Sequence, residues 1–233
     1  GDWRIGIMAG YSRSSVDAKD RASSGSSDSY HVGLYGGTRW GDIALRAGAA
    51  YTWSDLTTSR AVAIPGITDR LSAGYAAGAF QAFGELGYGI DMGSARLEPF
   101  ANLAYVNLDT GGFTEQGGAS ALTGRDGSTG VAFTTLGLRA EQEITLGTID
   151  VTLRGMAGWR RAFGDVTPQS TLAFATGNAF TIAGVPIARD AAVVEAGLDL
   201  NLSPDARLGL SYNGQFGSGI QDNGFKANLS VRF

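Results

Sequence analysis

Gly224-Phe225-Lys226-Ala227-Asn228-Leu229-Ser230-Val231-Arg232-Phe233 alternates without a break. Phe225, Ala227, Leu229, Val231 and Phe233 are apolar, and the residues between them are small, polar or charged. Successive side chains of a strand leave opposite faces, so strict period two means one strand with two unlike faces. Working backwards, the same pattern returns. Leu208, Leu210, Tyr212 and Phe216 oppose Arg207, Ser211, Asn213 and Gln215; Val194, Ala196, Leu198 and Leu200 oppose Glu195, Gly197, Asp199 and Asn201. Val151, Leu153, Ala157 and Trp159 oppose Thr152, Arg154 and Arg160. In the first half, Phe80, Ala82, Leu86 and Tyr88 oppose Gln81 and Glu85; Ile43, Leu45, Ala47, Tyr51 and Trp53 oppose Arg46, Thr52 and Ser54. Tyr30, Val32, Leu34 and Trp40 oppose His31 and Arg39, and Trp3, Ile5, Ile7 and Tyr11 oppose Arg4 and Ser12. Two segments are less regular: 97–107, with Phe100 and Val106 on the polar face, and 131–143, whose first half is blurred. The reading is about ten strands of roughly 9 to 14 residues, within one domain spanning 1–233.

Composition narrows the class. The 233 residues include 36 glycines, 5 prolines, one histidine and no cysteine. Charged residues are 17%, against about 25% in an ordinary soluble domain. Mean hydropathy is -0.01. No apolar run approaches the ~20 residues of a spanning helix, no thiol exists for a disulfide or thiolate metal site, and a net charge of -4 gives no reason to expect nucleic acid. The start, Gly-Asp-Trp-Arg, lacks the basic and apolar regions of a signal peptide.

The connections alternate in length. Short ones fall near Gly41-Asp42, Gly93-Ser94, Gly147-Thr148 and Ser203-Pro204-Asp205; long ones near 14–28, 56–72, 109–129 and 164–190, with a shorter one at 217–223. That is an up-and-down antiparallel meander. The polar faces carry charge in mid-strand (Arg46, Glu85, Glu98, Arg139, Arg154, Glu195, Asp199), and the apolar faces begin or end in aromatics. Both features fit an all-β transmembrane barrel with an apolar lipid-facing exterior and a polar lumen. Near-zero hydropathy is then two opposite faces cancelling. Closure is expected, because an open sheet edge in lipid leaves backbone groups unpaired. A soluble Gly-rich barrel is the competing reading, and it would carry more Lys and Glu outside.

The last strand resembles the C-terminal assembly signal of bacterial outer-membrane proteins, carried here by Phe225, Ala227, Leu229, Val231 and Phe233. The wider chain resembles the β-domain, or translocator, of autotransporters (type V secretion). The resemblance rests on Gly10-Tyr11-Ser12, the stretch Tyr30 to Gly37, Phe83-Gly84-Glu85-Leu86-Gly87-Tyr88, Leu97 to Val106, Gly158 to Asp165, Pro186 to Asp190, Glu195 to Asp199, Leu208 to Gln215 and Asp222-Asn223-Gly224. It implies a twelve-stranded barrel with a plug helix leading to an exported passenger, inserted by the barrel-assembly machinery. Against about ten strands here, either the first two strands, plug and passenger are missing, or ten strands close by pairing first with last. It also implies an outer-membrane location, with both termini and the short turns periplasmic and the long connections outside.

Candidate sites follow from the lumen faces. Glu85, Glu98, Arg139, Arg154, Arg160, Arg189, Glu195, Asp199 and Arg232 line a hydrated path or pair with one another. His31 faces the lumen as a hydrogen-bonding residue; the functional alternative is a general base beside a Ser or Asp. Neither a catalytic constellation, a metal site nor a cofactor is expected. Segment 164–190, with Phe174, Phe180 and Ile182, forms either a wall extension, an inward fold over the pore or an irregular surface segment. The expected function is anchoring and helping to export a passenger. The alternative is a stand-alone small outer-membrane barrel acting as a narrow pore, adhesin or hydrolase.

Overall fold

The computed structural model describes residues 3–18, 22–147, 149–203 and 205–231. The strands are β1 (Arg4–Ala18), β2 (Ser23–Trp40), β3 (Ile43–Ile64), β4 (Ile67–Tyr88), β5 (Ile90–Met92), β6 (Ala95–Thr110), β7 (Phe113–Thr114), β8 (Leu122–Gly124), β9 (Gly127–Leu146), β10 (Ile149–Gly164), β11 (Gln169–Phe174), β12 (Phe180–Ala183), β13 (Asp190–Ser203), β14 (Ala206–Gly217) and β15 (Ile220–Val231). No helix occurs among the described residues. One curled antiparallel sheet has the order β1-β2-β3-β4-β6-β9-β10-β13-β14-β15, with β5 continuing β4 alongside β6. These are the ten long strands that the period demands. Among the described residues β1 pairs only with β2, and β15 only with β14. Closure by pairing first strand with last is therefore not seen there.

The strands are longer than the alternation suggests, and the connections correspondingly shorter. Segment 56–72 is not a loop: β3 and β4 each run 22 residues and meet at a tight turn with Gly66 in the left-handed region (φ 89°). Segment 14–28 is likewise mostly hairpin, since β1 runs to Ala18 and β2 starts at Ser23. The segment near 217–223 is the β14–β15 hairpin, its register closing at Gly217↔Ile220. In the β3 extension polar Thr57-Thr58-Ser59-Arg60 is followed by apolar Ala61-Val62-Ala63-Ile64, which removes the period-two signal but not strand formation. The expected short turns are present at Gly41 and Gly93; Thr148 and Pro204 lie outside the described residues.

Outward aromatics fall in two tiers. Trp3 meets Trp40 edge-on at the short-turn end (6.1 Å), and Tyr11 meets Tyr30 nearer the long-hairpin end (5.4 Å). From Tyr30 to Trp40 is about 33 Å of strand, or roughly 25 Å of axis at a ~40° tilt, which matches the apolar band of an outer-membrane barrel. The β3–β4 hairpin continues well past Trp53, so its tip overhangs the band.

Four short strands form an upper tier. Their order, β7-β8-β11-β12, repeats that of β6-β9-β10-β13 beneath them. Each of these four strands is thus interrupted along one crease and resumes above it. The tier joins the main wall at β4, where Gly111 N–H donates to Ala76 O (2.9 Å) and Ser72 and Gln116 exchange backbone hydrogen bonds (both 2.9 Å). Segment 164–190 therefore extends the wall through the β11–β12 hairpin. Its base also turns inward. Val166 packs in a small buried cluster with Val131 and Ala162, against Phe133 and Ile187.

Candidate functional site

Ladder register assembles the concave face. The β3–β4 ladder sets Arg46 opposite Glu85, and the β6–β9 ladder sets Glu98 opposite Arg139. Because β4 and β6 are neighbours, the four charges form one cluster. Arg46 Nη1 donates to Glu85 Oε1 (3.0 Å) and Glu98 Oε1 (2.7 Å), and its Nη2 to Glu98 Oε2 (3.0 Å). Arg139 donates to Glu85 Oε1 and Oε2 (2.7 and 2.8 Å) and to Glu98 Oε1 (3.1 Å). Both glutamates are buried, at 7% and 6% exposure. Each carboxylate is thereby shared by two guanidinium groups, the condition under which buried charge is tolerable. A Cβ on Gly87 would meet the Glu98 carboxyl at 2.8 Å, so only glycine leaves room for it.

Phe100, buried on this face, is stacked beneath Arg139 (3.9 Å from guanidinium carbon to ring centroid) and lies over Gly137. A Cβ at Gly137 would approach that ring to 2.7 Å and the Ala157 carbonyl to 2.8 Å. Gly137→Ala is expected to cost about 1–2 kcal/mol by overpacking. Gly137→Ala with Phe100→Leu should recover part of it in urea unfolding; a double variant no better than the single one contradicts the packing account.

The other candidates scatter. Arg154 pairs with Asp199, which also takes Arg207 (2.9 Å). Glu195 faces a 430 Å³ cavity lined by Arg39, Arg46, Glu98, Arg139 and Arg154, and it has no ion pair among the described residues. Arg160 donates to Thr135 Oγ1 (3.3 Å) and Gln215 Oε1 (3.0 Å), with no carboxylate partner among the described residues. Arg189 lies just ahead of β13, off the long strands, where its carbonyl accepts from Ala162 N–H (2.8 Å). Arg232 and Phe233 lie outside the described residues. Arg46 stands on the polar face of its strand by alternation, but alternation alone does not mark its partners. The turn at Pro65-Gly66 fixes its partner: positions equidistant from it pair, and 46 and 85 are equidistant. Reading 56–72 as a loop hides that signal.

At the long-hairpin end a clasp ties the upper tier to β3–β4. Arg60 donates to both oxygens of Glu115 (2.7 and 2.6 Å) and to Ser120 O (2.8 Å); Asp69 accepts from Ser120 N–H (2.8 Å) and Oγ–H (2.6 Å); Leu122 N–H donates to Glu115 (2.8 Å). Tyr75 stacks on Phe113 (5.0 Å). Burial pushes the Glu115 carboxyl up, but Arg60 and the Leu122 amide outweigh it and hold it below the usual range. The Ser120 hydroxyl and amide hold Asp69 below its range as well. Both depressed carboxyls stabilise the folded clasp fully above their unfolded values and lose that contribution as pH falls through the folded ones. Amide exchange at 113–124, corrected for intrinsic rate, should stay protected from pH 7 to about 5 and open only below the ordinary carboxylate range of ~4. Opening already at pH 6 contradicts this.

Among the described residues no group of three or more potential ligands could hold a metal ion. The geometry is that of a charged, partly self-neutralised lumen with an apolar tuck at one mouth. Residues 1–213 match the autotransporter beta-domain family. The chain belongs to that family. Over its whole length this autotransporter β-domain is 43% identical to an extracellular serine protease of Serratia marcescens, and it spans 22% of that protein. It is 26% identical over 240 residues to esterase EstA of Pseudomonas aeruginosa, covering 99% of this chain and 36% of that protein. In fold it is similar to the translocator domain of autotransporter NalP from Neisseria meningitidis (TM-score 0.73, 16% identity, 100% of this chain and 76% of that one). It is also similar to the beta domain of the Bordetella autotransporter Brka (TM-score 0.61, 17% identity, 99% and 91%). As an autotransporter β-domain it is an outer-membrane translocator barrel.

Proposed function

We propose that this domain anchors a longer polypeptide in the outer membrane and helps a passenger cross it, without catalysing a reaction itself. The observation that carries this is the match over the whole chain to proteins of which it spans about a fifth, 22% of the Serratia protease. The barrel-assembly machinery would take hold of the last strand, whose outward residues Phe225, Leu229 and Val231 are exposed to meet lipid. The long hairpins would lie outside the cell, with the short turns and both termini in the periplasm. The charged concave face supplies a hydrated route, and no ATP-binding motif is present to drive passage. Folding of the passenger outside is the energy source this reading requires.

The chain has no cysteine, so single cysteines report sidedness cleanly. A cysteine at Gly66 should react with an impermeant maleimide on intact cells, and one at Gly93 only after the outer membrane is opened. In the same cells, deleting residues 220–233 from the full-length protein should abolish protease-accessible passenger at the surface. Surface passenger at undiminished level would refute the export reading; the reversed labelling pattern would refute the orientation.

A further inference from the structure

We propose that Ser12 is an activated nucleophile in the lumen, paired with His31, that accepts an acyl group from a small ester. This goes beyond the export reading and does not depend on it.

Three adjacent strands build the arrangement. On the β1–β2 ladder Gly10 faces His31 and Ser12 faces Ser29, so Ser12 and His31 are diagonal neighbours on one face. On the β2–β3 ladder His31 faces Thr52. Ser12 Oγ lies 2.8 Å from His31 Nε2, and Thr52 Oγ1 lies 2.9 Å from His31 Nδ1. A neutral imidazole has one N–H and one lone-pair nitrogen. With Nδ1–H donating to Thr52, Nε2 is free to accept the Ser12 hydroxyl proton. That is the relation of nucleophile, base and orienting group that nucleophilic activation needs. Each partner comes from a different strand, so the sequence shows only a lone histidine.

The surroundings leave room. A Cβ at Gly10 would come no nearer than 3.8 Å to the imidazole Cδ2 atom. Ser12 is exposed and His31 half-buried, level with the outward Tyr11–Tyr30 pair, so a small reagent can reach the Ser12 hydroxyl. The backbone N–H groups of β2 are committed to the ladders with β1 and β3. A hydroxyl donor for the developing oxyanion stands opposite Ser12: Ser29, in a chain Ser27–Ser29–Ser54 (3.0 and 2.8 Å). Thr52 carries no charge, unlike the carboxylate of a full triad, so it orients the imidazole without stabilising the imidazolium. This limits the chemistry to acyl transfer onto Ser12 rather than rapid turnover.

The step balances. Ser12 Oγ forms a bond to the acyl carbon while its proton moves to His31 Nε2. The bond from acyl carbon to leaving oxygen breaks, and the leaving alcohol takes that proton from Nε2. The products are a Ser12 ester, the free alcohol and neutral His31.

The test treats the full-length protein in isolated outer membranes with p-nitrophenyl acetate, and separately with a fluorophosphonate probe, and locates adducts by peptide mass spectrometry. Ser12 should be modified well ahead of Ser29 and Ser54. His31→Gln should slow that modification about 100-fold, the lower end of general-base contributions. Thr52→Val, which keeps the shape but removes the acceptor, should slow it less, and Ser12→Ala should remove it. His31→Gln barrels that keep their heat-modifiable gel mobility exclude misfolding as the cause. Modification spread over serines by exposure, or a Ser12 rate unchanged in folded His31→Gln, overturns the proposal. Passenger export is not part of this readout, so its failure and that of the export reading are separable.

Discussion

Leu138→Arg should lower the unfolding free energy of the membrane-inserted barrel by about 2–4 kcal/mol, the cost of an arginine facing lipid at the bilayer midplane. Leu138 is on the outer face of β9, exposed, with Pro99 and Ala157 beside it on the adjoining strands. It lies about midway between the two aromatic tiers, too deep for a guanidinium to reach either interface without distorting its stem. Gln142, on the same face and four residues nearer the short-turn end, supplies the control: Gln142→Arg should cost about 0–1 kcal/mol. Urea titration in liposomes of both variants checks the depth dependence. Equal costs at the two positions would remove the lipid-facing assignment of β9.

Glu98→Ala should cost about 2–3 kcal/mol. Glu98 accepts from Arg46 and Arg139 and lies 3.7 Å from Arg39, so its loss leaves three arginines to one buried carboxylate, Glu85. Breaking a buried ion pair from one side typically costs about 3–5 kcal/mol. The three arginine side chains are 34–46% exposed, so lumen water recovers part of that. Glu98→Gln should cost less, since its amide oxygen still accepts one hydrogen bond. Replacing Arg46 by Met and Glu98 by Leu together should cost less than the sum of the two singles, which a double-mutant cycle measures directly. Strict additivity would mean that the two side chains act independently, against the geometry.

What the sequence makes legible is whatever repeats every two residues. The ten long strands, their two faces and the placement of Phe100 and Val106 on the concave side follow from alternation alone. The overhanging β3–β4 tip does not, because above the lipid band no solvent difference forces its two faces apart. Ala61, Val62 and Ala63 follow one another with no polar residue between. The upper tier is hidden for another reason: strands of two to six residues carry too few alternations to read. Glu85, Glu98 and Arg139 could be singled out as lumen charges, but their convergence with Arg46 depends on four strands brought into register. Ser12 and Thr52 gain meaning only from His31 standing between them. Arg189, a charge within a family-like motif, lies just ahead of β13, where its carbonyl pairs with Ala162 of β10.

The repeated strand order above and below the crease bears on how insertion errors spread. In an unbroken ladder a slip of one residue is transmitted along the whole strand and turns every side chain to the wrong face. Here the ladders of β6, β9, β10 and β13 end before those of the upper tier begin. The wall can reach its register while the part above is still unpaired, and the upper part can then re-pair without disturbing what is already seated. Segments of different length can be accommodated above that line at no cost to the register beneath.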